Sequence, residues 1–386
     1  MKTVPISAGD ASGELHAAAL VEQLRRRLPE VRVLGLGGPA MEKAGVELVV
    51  SQRELAVGLG VEVLRDLRRI VTAWRRMTRA LAETRPDLVI LVDSPDFNLP
   101  LAKRVKRAGI PVLYYVSPQV WAWRRGRIRR IAKRVDRLAV IFPFEPAVYA
   151  GSGLAVDFVG HPLLDRLRPL GADLRAEAKH ALGLEPGRPY VLLLPGSRRN
   201  EVRSTLPLQL AAASAVHARD PRVGFVVAVA SSIERSSIDA AIAATTLPTL
   251  LDLTVLEGRT HEAMHAVDVA LAKPGTVTLE IALVGTPFVV TARVNRFTAF
   301  LIRRLVHVAS YTMPNLIAGR AIVPEFLQED ADPARIADAL LSLLHGPQRA
   351  LQLAAFGEVR AALGAGGAAA RAAAIAEEMM RGAARS

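Results

Sequence analysis

The sequence contains no cysteine. This absence excludes disulfide bonds, cysteine-ligated zinc, iron–sulfur clusters and a thiol nucleophile. Aromatic residues are also few, at 5% of the chain. The lack of cysteine does not identify a compartment, although it is compatible with the cytosol.

The sequence also lacks a stretch of about 18 uncharged apolar residues, so it predicts no membrane-spanning helix. The first ten residues become polar too early for a secretory signal peptide, and we expect none. Any contact with a membrane is therefore expected to be peripheral.

Acidic residues are fewer than basic ones. The chain has 37 Asp and Glu and 50 Lys and Arg, which gives a formal net charge of +13. A basic surface is typical of proteins that bind nucleic acid, anionic lipid or phosphorylated substrates. Charge alone does not choose among these partners.

The pattern along the 386 residues predicts an α/β protein of about two domains. Short apolar runs alternate with helical stretches, which is typical of parallel sheets covered on both faces. Strand candidates begin with a short first strand before residue 8 and then cover 31–36, 88–92, 111–116, 138–142 and 156–159, followed by 190–194, 224–229, 253–256, 267–272 and 287–291. A Gly-His-Pro break at 160–162 and a polar stretch at 166–187 lie between the two series.

We therefore predict two Rossmann-like doubly wound domains that face a cleft, followed by a helical tail. The predicted limits are 1–168 for the first domain, 169–345 for the second, and 346–386 for a tail that packs across them. Asp332 and Pro333 have the residue types of an N-cap and a first helical position at the start of the last helical stretch.

One turn carries the strongest functional signal. Pro195-Gly196-Ser197-Arg198-Arg199 follows an apolar run and precedes a long helical stretch. A tight turn at a helix N-terminus presents backbone N–H groups, and two arginines beside them favour an anion such as phosphate. The alternative is an ordinary strand-to-helix turn with solvated arginines.

A second turn of this kind follows the apolar run 267–271. Gly275 permits close approach of a ligand, and Thr276 with the N–H groups after it suits phosphate. Glu280, about one turn into the helix, can accept hydrogen bonds from ribose hydroxyls. A capped helix start is the alternative, but two anion-suited helix starts in one half of the chain favour a diphosphate and its sugar.

Two loops in the first half of the chain are further candidates. A glycine turn from Gly9 to Glu14 leads into a helix, and its alternative is a capped helix start with Ser12 as the cap. Asp93 and Asp96 follow a predicted strand, and one of them is a candidate general base. The alternative for both is turn stabilisation by Asp side chains.

Two segments combine aromatic or apolar residues with arginines. Residues 114–125 form the densest aromatic segment and continue into a basic stretch that ends at 137. Segment 53–79 joins an apolar stretch, 57–61, to an arginine-rich helix. Such patterns are typical of nucleic-acid binding or of a membrane interface, and a solvated basic helix is the alternative for both.

Two patterns resemble metal sites. His261-Glu262-Ala263-Met264-His265 matches a zinc-binding H-E-x-x-H sequence, but the predicted helix ends at Ala266 and a third ligand is not evident. Asp330-Ala331-Asp332 directly precedes a helix start, and we interpret it as a cap. We expect no metal and no cofactor.

Several loops, taken in order, resemble lipid-A-disaccharide synthases, a glycosyltransferase family with the two-domain GT-B fold. The matching segments are 8–13, 86–87 with 93–98, 115–124, 142–145, 159–162, 194–198, 275–280 and 314–320. The run Val-Ser-Pro-Gln-Val-Trp-Ala-Trp at 116–123 is highly specific. The resemblance covers about residues 5 to 345.

The resemblance implies a reaction, partners and a location. The family joins UDP-2,3-diacylglucosamine to 2,3-diacylglucosamine 1-phosphate (lipid X), giving a β(1→6)-linked disaccharide 1-phosphate and UDP. It implies a cytoplasmic protein, peripheral on the anionic lipid of the Gram-negative inner membrane, with no nucleic acid bound. The oligomeric state is left open.

The resemblance also implies roles for residues. Asp96 is the expected base for the acceptor 6-hydroxyl, with Asp93 as its substitute. The expected contacts of the nucleotide-sugar are Gly196, Ser197, Arg198, Gly275, Thr276, Glu280 and Asn315, with Arg198 balancing the leaving diphosphate. The expected acceptor loops contribute Gly9, Ser12, Gly13, Glu14, Gln119 and Trp121.

Two departures from the family pattern and two alternatives remain open. The family often has Asp at the position of Glu14 and Ser at that of Pro274, and proline removes one N–H from the loop. One alternative is another GT-B enzyme, an epimerase or a peptidoglycan-type transferase, which would share Glu280 but not the Trp-Ala-Trp segment. The other is a non-enzymatic basic protein that binds a membrane or RNA.

Overall fold

The structure is a computed structural model, which describes residues 2–55, 63–121, 125–169, 171–248, 251–294, 304 and 310–383. Contacts divide the chain into two compact units, the first made of 1–165 with 363–386 and the second of 166–362. These limits differ from the predicted ones, because the boundary falls at 165 and the segment predicted as one tail is shared between the units.

The first unit is built on a parallel sheet. Its strands are β1 (Thr3–Ala8), β2 (Arg32–Gly37), β3 (Glu47–Ser51), β4 (Val89–Val92), β5 (Val112–Tyr115), β6 (Arg137–Val140) and β7 (Ala155–Phe158). They pair in the order β3-β2-β1-β4-β5-β6-β7. The helices that follow these seven strands in turn are α1 (Ala11–Arg27), α2 (Pro39–Lys43), α3 (Val63–Thr84), α4 (Pro95–Arg107), α5 (Ile128–Ala132), α6 (Glu145–Val148) and α7 (Leu163–Arg166).

The central strands of this sheet have no polar face. Every residue of β4 and β5 is buried. Their runs Val-Ile-Leu-Val and Val-Leu-Tyr-Tyr are nearly continuous in apolar character, as expected when helices cover both faces of a parallel sheet. The charged and hydroxyl side chains next to these two strands therefore lie in the loops at the strand ends, where sites can form.

The second unit repeats this architecture. Its strands are β8 (Tyr190–Leu194), β9 (Gly224–Val229), β10 (Leu253–Glu257), β11 (Val269–Ala272), β12 (Phe288–Ala292) and β13 (Glu325–Leu327), paired in the order β10-β9-β8-β11-β12-β13. Its helices are α8 (Ala172–Ala181), α9 (Arg199–His217), α10 (Arg235–Ala243), α11 (Thr260–Ala266), α12 (Val277–Val284), α13 (Met313–Ala318), α14 (Pro333–His345) and α15 (Gln348–Ala362).

The C-terminal helices belong to different units. Asp332 caps α14 by accepting the N–H groups of Ala334 and Arg335, each at 3.0 Å, which confirms the predicted cap. In the second unit α15 packs on α12 and α13. The last helix, α16 (Ala368–Ala383), packs along α1 of the first unit, where Arg27 Nε lies 2.7 Å from Glu377 Oε2.

The predicted fold class, two Rossmann-like α/β sheets with a helical C-terminal segment, is confirmed. Two strands were not predicted, β3 and β13, which lie at sheet edges. Within the described residues, no helix combines the length and the apolar character needed to cross a bilayer. The apolar stretch 57–61 and residues 122–124 of the aromatic segment lie outside the described residues.

Candidate active site

The second unit contains a cavity of about 540 Å³ beyond the carboxyl ends of β8, β9 and β11. The strand order reverses direction between β8 and β11, because β9 and β10 lie on one side of β8 and β11 to β13 on the other. The loops after β8 and β11 therefore diverge and leave a crevice, which is where ligands bind in doubly wound sheets.

Hydrogen bonds hold together the strand ends beside this cavity. The Lys273 N–H donates to the Leu194 carbonyl at 3.0 Å, joining the ends of the two central strands. Gln209, buried on α9, donates from Nε2 to the carbonyls of Leu194 at 3.2 Å and Leu271 at 3.0 Å. Sequence reasoning missed Gln209, since nothing in its local pattern distinguishes it from other positions of a buried helix.

Gly196 is required by the turn that follows β8. Its φ is +122°, and a Cβ there would lie 2.7 Å from Glu201 Oε2 and 2.8 Å from Glu201 Cβ. A side chain would therefore be strained and would displace Glu201. The glycine lets the chain turn tightly from the strand into α9.

Glu201 organises the charges of the turn. It accepts the Ser197 N–H at 3.1 Å, and its other oxygen lies 3.1 Å from Arg198 Nη1 and 3.2 Å from Lys273 Nζ. Burial opposes ionisation of this carboxyl, but Lys273, the Ser197 N–H and Arg198 outweigh it and lower its pKa. Two cations held by one carboxylate leave the turn suited to a further anion.

The predicted turn after β11 forms the opposite wall. Gly275, Thr276 and Glu280 line the cavity, at the start of α12. A Cβ at Gly275 would meet nothing within 4 Å, so a ligand can approach the backbone closely here. The hydroxyl of Thr278 is turned inward and donates to the Gly275 carbonyl at 2.7 Å, which holds the turn in shape.

The predicted residues Gly196, Ser197, Arg198, Gly275, Thr276 and Glu280 thus line one cavity. Asn315 does not. Its Nδ2 donates to Val323 O at 2.9 Å and Glu325 Oε1 at 3.0 Å, and its Oδ1 accepts the N–H groups of Ile322 and Val323, both at 2.8 Å. The buried amide holds the loop before β13 through these four hydrogen bonds and does not line the cavity, which is evidence against its predicted nucleotide contact.

The loops at the carboxyl ends of β1 and β4 meet in the first unit. Asp10 caps α1 by accepting the Gly13 N–H at 2.8 Å, and its second oxygen accepts Ser94 Oγ–H at 2.6 Å. The predicted cap Ser12 is instead an exposed residue of the first helical turn. Ser94 Oγ also accepts the Gly9 N–H at 3.1 Å.

The turn between β4 and α4 is strained. Asp93 and Ser94 have φ values of +46° and +43°, a region that non-glycine residues rarely occupy. Buried Asn98 stabilises this turn by donating to the carbonyls of Val92 at 3.0 Å and Asp93 at 2.8 Å. Such strain, held by surrounding hydrogen bonds, is common at functional sites.

The two candidate bases occupy different environments. Burial and the neighbouring Asp10 raise the pKa of the Asp93 carboxyl to about 6, against a hydrogen bond from the Ser94 backbone. Asp96 is 89% exposed and has a long contact of 3.4 Å with Arg127. Asp96 lines a small cavity of about 280 Å³ with Gly9, Ser94, Pro95, Phe97 and Ile70 of α3.

The other residues predicted for the acceptor loops lie in different environments. Gly13 lies against this cluster, since a Cβ there would be 3.6 Å from Asp93 Cβ. Glu14 is buried and accepts the Ala40 N–H at 2.6 Å and a hydrogen bond from Gln52. Its carboxylate therefore holds the start of α2, which is evidence against its predicted role as an acceptor contact.

The family-specific run at 116–123 contains both exposed and buried residues. Gln119 is exposed, whereas Trp121 is buried and packs edge to face on Phe144 at 5.2 Å and Phe142 at 6.4 Å. Beside them Glu145 accepts the N–H groups of Ile141 at 3.1 Å and Phe142 at 3.0 Å. Burial raises the pKa of Glu145 to about 7 despite these bonds. Trp121 thus helps to hold together the loops that follow β5 and β6.

Side chains of the two metal-like sequence patterns bond other groups of the protein, as His261 and Asp332 show. Within the residues that the structure describes, no group of three or more His, Asp or Glu side chains is arranged to hold a metal ion. The helix α11 ends at Ala266, as predicted, and His261 of this motif is hydrogen-bonded to Glu280.

Comparison with known proteins decides the family. The family model described as lipid-A-disaccharide synthetase (LpxB) matches residues 4–378. The chain belongs to the lipid-A-disaccharide synthetase family. This agrees with the resemblance found in the sequence motifs.

Relatives and solved structures agree with this family and with the fold. The lipid-A-disaccharide synthase of Geobacter sulfurreducens is 43% identical over 379 residues, covering 98% of this chain and 97% of the relative. That of Anaeromyxobacter sp. (strain K) is 43% identical over 376 residues, covering 97% and 96%.

Among solved structures, the calicheamicin glycosyltransferase CalG4 has a TM-score of 0.59 at 17% identity, covering 99% of this chain and 98% of that one. A putative UDP-N-acetylglucosamine 2-epimerase from Listeria monocytogenes has a TM-score of 0.64 at 12% identity, covering 99% and 98%. At these identities the structures establish the GT-B fold of this lipid-A-disaccharide synthetase family member, and nothing about its substrate.

Proposed function

We propose that the chain transfers 2,3-diacylglucosamine from its UDP derivative to the 6-hydroxyl of 2,3-diacylglucosamine 1-phosphate. The products are a β(1→6)-linked disaccharide 1-phosphate and UDP. As a member of the lipid-A-disaccharide synthetase family the chain is a glycosyltransferase of lipid A synthesis. The observation that carries the finer proposal is the anion-suited cavity at the switch point of the second sheet, lined by two glycine turns and a carboxylate.

The nucleotide is proposed to occupy this cavity. Its diphosphate would meet the N–H groups at the start of α9, together with Arg198 and Lys273, and Glu280 would accept hydrogen bonds from the ribose hydroxyls. Arg198 is 82% exposed and Lys273 23% exposed, so both cations are accessible to a ligand. Asn315 has no part in this arrangement.

Asp96 is proposed as the general base, with Asp93 as its substitute. The base removes the proton of the acceptor hydroxyl, whose oxygen forms a bond to the anomeric carbon as the bond to the UDP oxygen breaks. The electron pair of that bond leaves with UDP, where the cations of the second unit stabilise it. Asp96 suits the role because its carboxylate is exposed at a cavity, whereas Asp93 is largely buried.

The first unit is proposed to associate peripherally with an anionic lipid surface. Arg107 and Arg130 are exposed, and Arg134 lies near both. Burial, Arg130 and Arg107 lower the pKa of Arg134, which indicates a concentration of positive charge on α4 and α5. Each such residue near an anionic membrane contributes about 1 kcal/mol of binding.

Lipid binding is tested by sedimentation with vesicles of phosphatidylcholine alone or with a third of phosphatidylglycerol. We expect binding to the anionic vesicles only, and its loss in high salt. Equal binding to both vesicles would contradict the electrostatic proposal.

The activity is tested by incubating the purified protein with the acylated UDP-sugar and lipid X, followed by mass analysis of the lipids. We expect the tetraacyl disaccharide 1-phosphate and an equal amount of UDP. An epimerised UDP-sugar without disaccharide would favour the epimerase alternative. RNA binding with a steep salt dependence and no reaction of the UDP-sugar would favour the non-enzymatic one.

A further inference from the structure

A hydrogen bond in the cavity of the second unit joins Glu280 to a histidine that has no role in the scheme above. His261 lies in the first turn of α11 and Glu280 in the first turn of α12. Their side chains meet inside the cavity, with His261 Nε2 2.9 Å from Glu280 Oε2. Both residues line the cavity, together with Gly275 and Thr276.

The chemistry of the two groups determines the direction of this bond. An ionised carboxylate only accepts hydrogen bonds, so the imidazole must donate and Nε2 must carry a proton. The bond occupies Oε2 and leaves Oε1 as an acceptor. Glu280 is 22% exposed and His261 48% exposed, so the carboxylate is accessible to a ligand while the imidazole holds its orientation.

The pairing also involves the first histidine of the H-E-x-x-H pattern. The Nε2 atom of His261 is taken by Glu280. The second histidine, His265, does not line the cavity, and burial together with the nearby His261 lowers its pKa. The first histidine of the pattern thus bonds a residue of α12.

We propose that His261 is a positioning residue that holds the Glu280 carboxylate so that its free oxygen accepts a ribose hydroxyl of the uridine nucleotide. This inference rests on the proposed function, because it assumes that a uridine nucleotide occupies the cavity. It adds a residue that acts on ribose recognition only through Glu280.

The test is calorimetric titration with UDP, 2′-deoxy-UDP and 3′-deoxy-UDP. The variants are His261→Phe, which keeps a ring without a donor, His261→Gln, which restores a donor, Glu280→Gln and the double variant His261→Phe with Glu280→Gln. The matched control is Glu262→Gln, which neutralises a neighbouring carboxylate on α11 that pairs with Arg259 and does not line the cavity.

We expect His261→Phe to weaken UDP binding about three- to tenfold, the effect of one hydrogen bond. Binding of the analogue that lacks the contacted hydroxyl should change less than about twofold, and His261→Gln should recover most of the UDP affinity. The double variant should bind UDP no more weakly than Glu280→Gln alone, because both changes remove the same interaction. Glu262→Gln should bind like the wild type.

Two outcomes would overturn the inference while leaving the proposed function intact. One is an equal loss of affinity for UDP and both deoxy analogues in His261→Phe, which would mean a phosphate contact or a general structural role. The other is additive losses in the double variant. Absence of UDP binding by the wild type would instead refute the proposed function, and the inference with it.

Discussion

The substitution Arg198→Ala tests the anion site most directly, because it removes a cation and leaves the fold almost untouched. The side chain is 82% exposed and its ion pair with Glu201 spans 3.1 Å. Exposed pairs of this kind contribute about 0.2–1 kcal/mol to stability. Glu201 keeps its contacts with Lys273 and the Ser197 N–H. The unfolding midpoint should therefore change little.

The effect on catalysis should be much larger. A hydrogen bond to a charged group is worth about 1.5–3 kcal/mol, and about 1.4 kcal/mol corresponds to a factor of ten. The expected loss in kcat/KM is therefore about 10- to 150-fold, and the exposure of Arg198 favours the lower half of this range. Because negative charge grows on the departing UDP, part of the loss should appear in kcat.

The assay is the rate of disaccharide formation, measured across a range of concentrations of each substrate. Arg198→Lys keeps the charge and should retain part of the activity. Arg203→Ala is the matched control, since Arg203 lies on α9, bonds Asn200 Oδ1 at 3.1 Å and does not line the cavity. A kcat/KM within twofold of wild type for Arg198→Ala, or an equal loss in Arg203→Ala, would refute the reasoning.

Four further predictions concern the remaining residues. Asp96→Asn should lower kcat about 100- to 10,000-fold, which is the contribution of a general base. The control Glu83→Gln, which neutralises an exposed carboxylate elsewhere, should leave kcat unchanged. Turnover near that of the wild type in Asp96→Asn would mean that another residue is the base. Asp93→Asn should have a larger free energy of unfolding than the wild type at pH 7.5. This difference between variant and wild type should be lost by the time the pH falls below 4. The reason is that the raised pKa of about 6 makes the native state bind more protons than the unfolded state between about pH 4 and 6. Ionisation of Asp93 therefore lowers the stability of the wild type above that range, by at most about 3 kcal/mol. Denaturant titrations that gave the same difference in stability between variant and wild type at both pH values would contradict this. Asn315→Ala should lower the free energy of unfolding by about 1–3 kcal/mol, because it leaves buried N–H groups unpaired, with UDP affinity unchanged in titration; weaker UDP binding in the folded variant would restore a nucleotide role. Activity should persist after EDTA treatment, and inactivation that Zn²⁺ or Mg²⁺ reverses would bring back a metal-dependent mechanism.

Strand ends and turns were predicted well because their signals are local. A run such as Tyr190–Leu194 is apolar throughout, and the Pro-Gly-Ser turn after it has the residue types that a tight entry into a helix requires. The cap at Asp332 was predicted for the same reason, since it depends only on its next three residues.

The two missed strands show where local signals fail. In β3 only Val50 is fully buried, and β13 has three partly buried residues. Both strands lie at sheet edges, where one neighbour is missing and the apolar pattern is correspondingly weak. Their pairing with β2 and β12 supplies what their sequence does not specify.

The sequence alone determined the family, the two parallel sheets and the glycine turns that border the cavity of the second unit, because these depend on short motifs and on residues close together in the chain. Tertiary structure decided the partners of individual polar side chains. Glu14 bonds the N–H of Ala40, Asn315 holds the loop before Glu325, and His261 bonds Glu280. Each of these contacts joins separate elements, so whether a polar group faces a ligand or its own protein depends on how those elements pack.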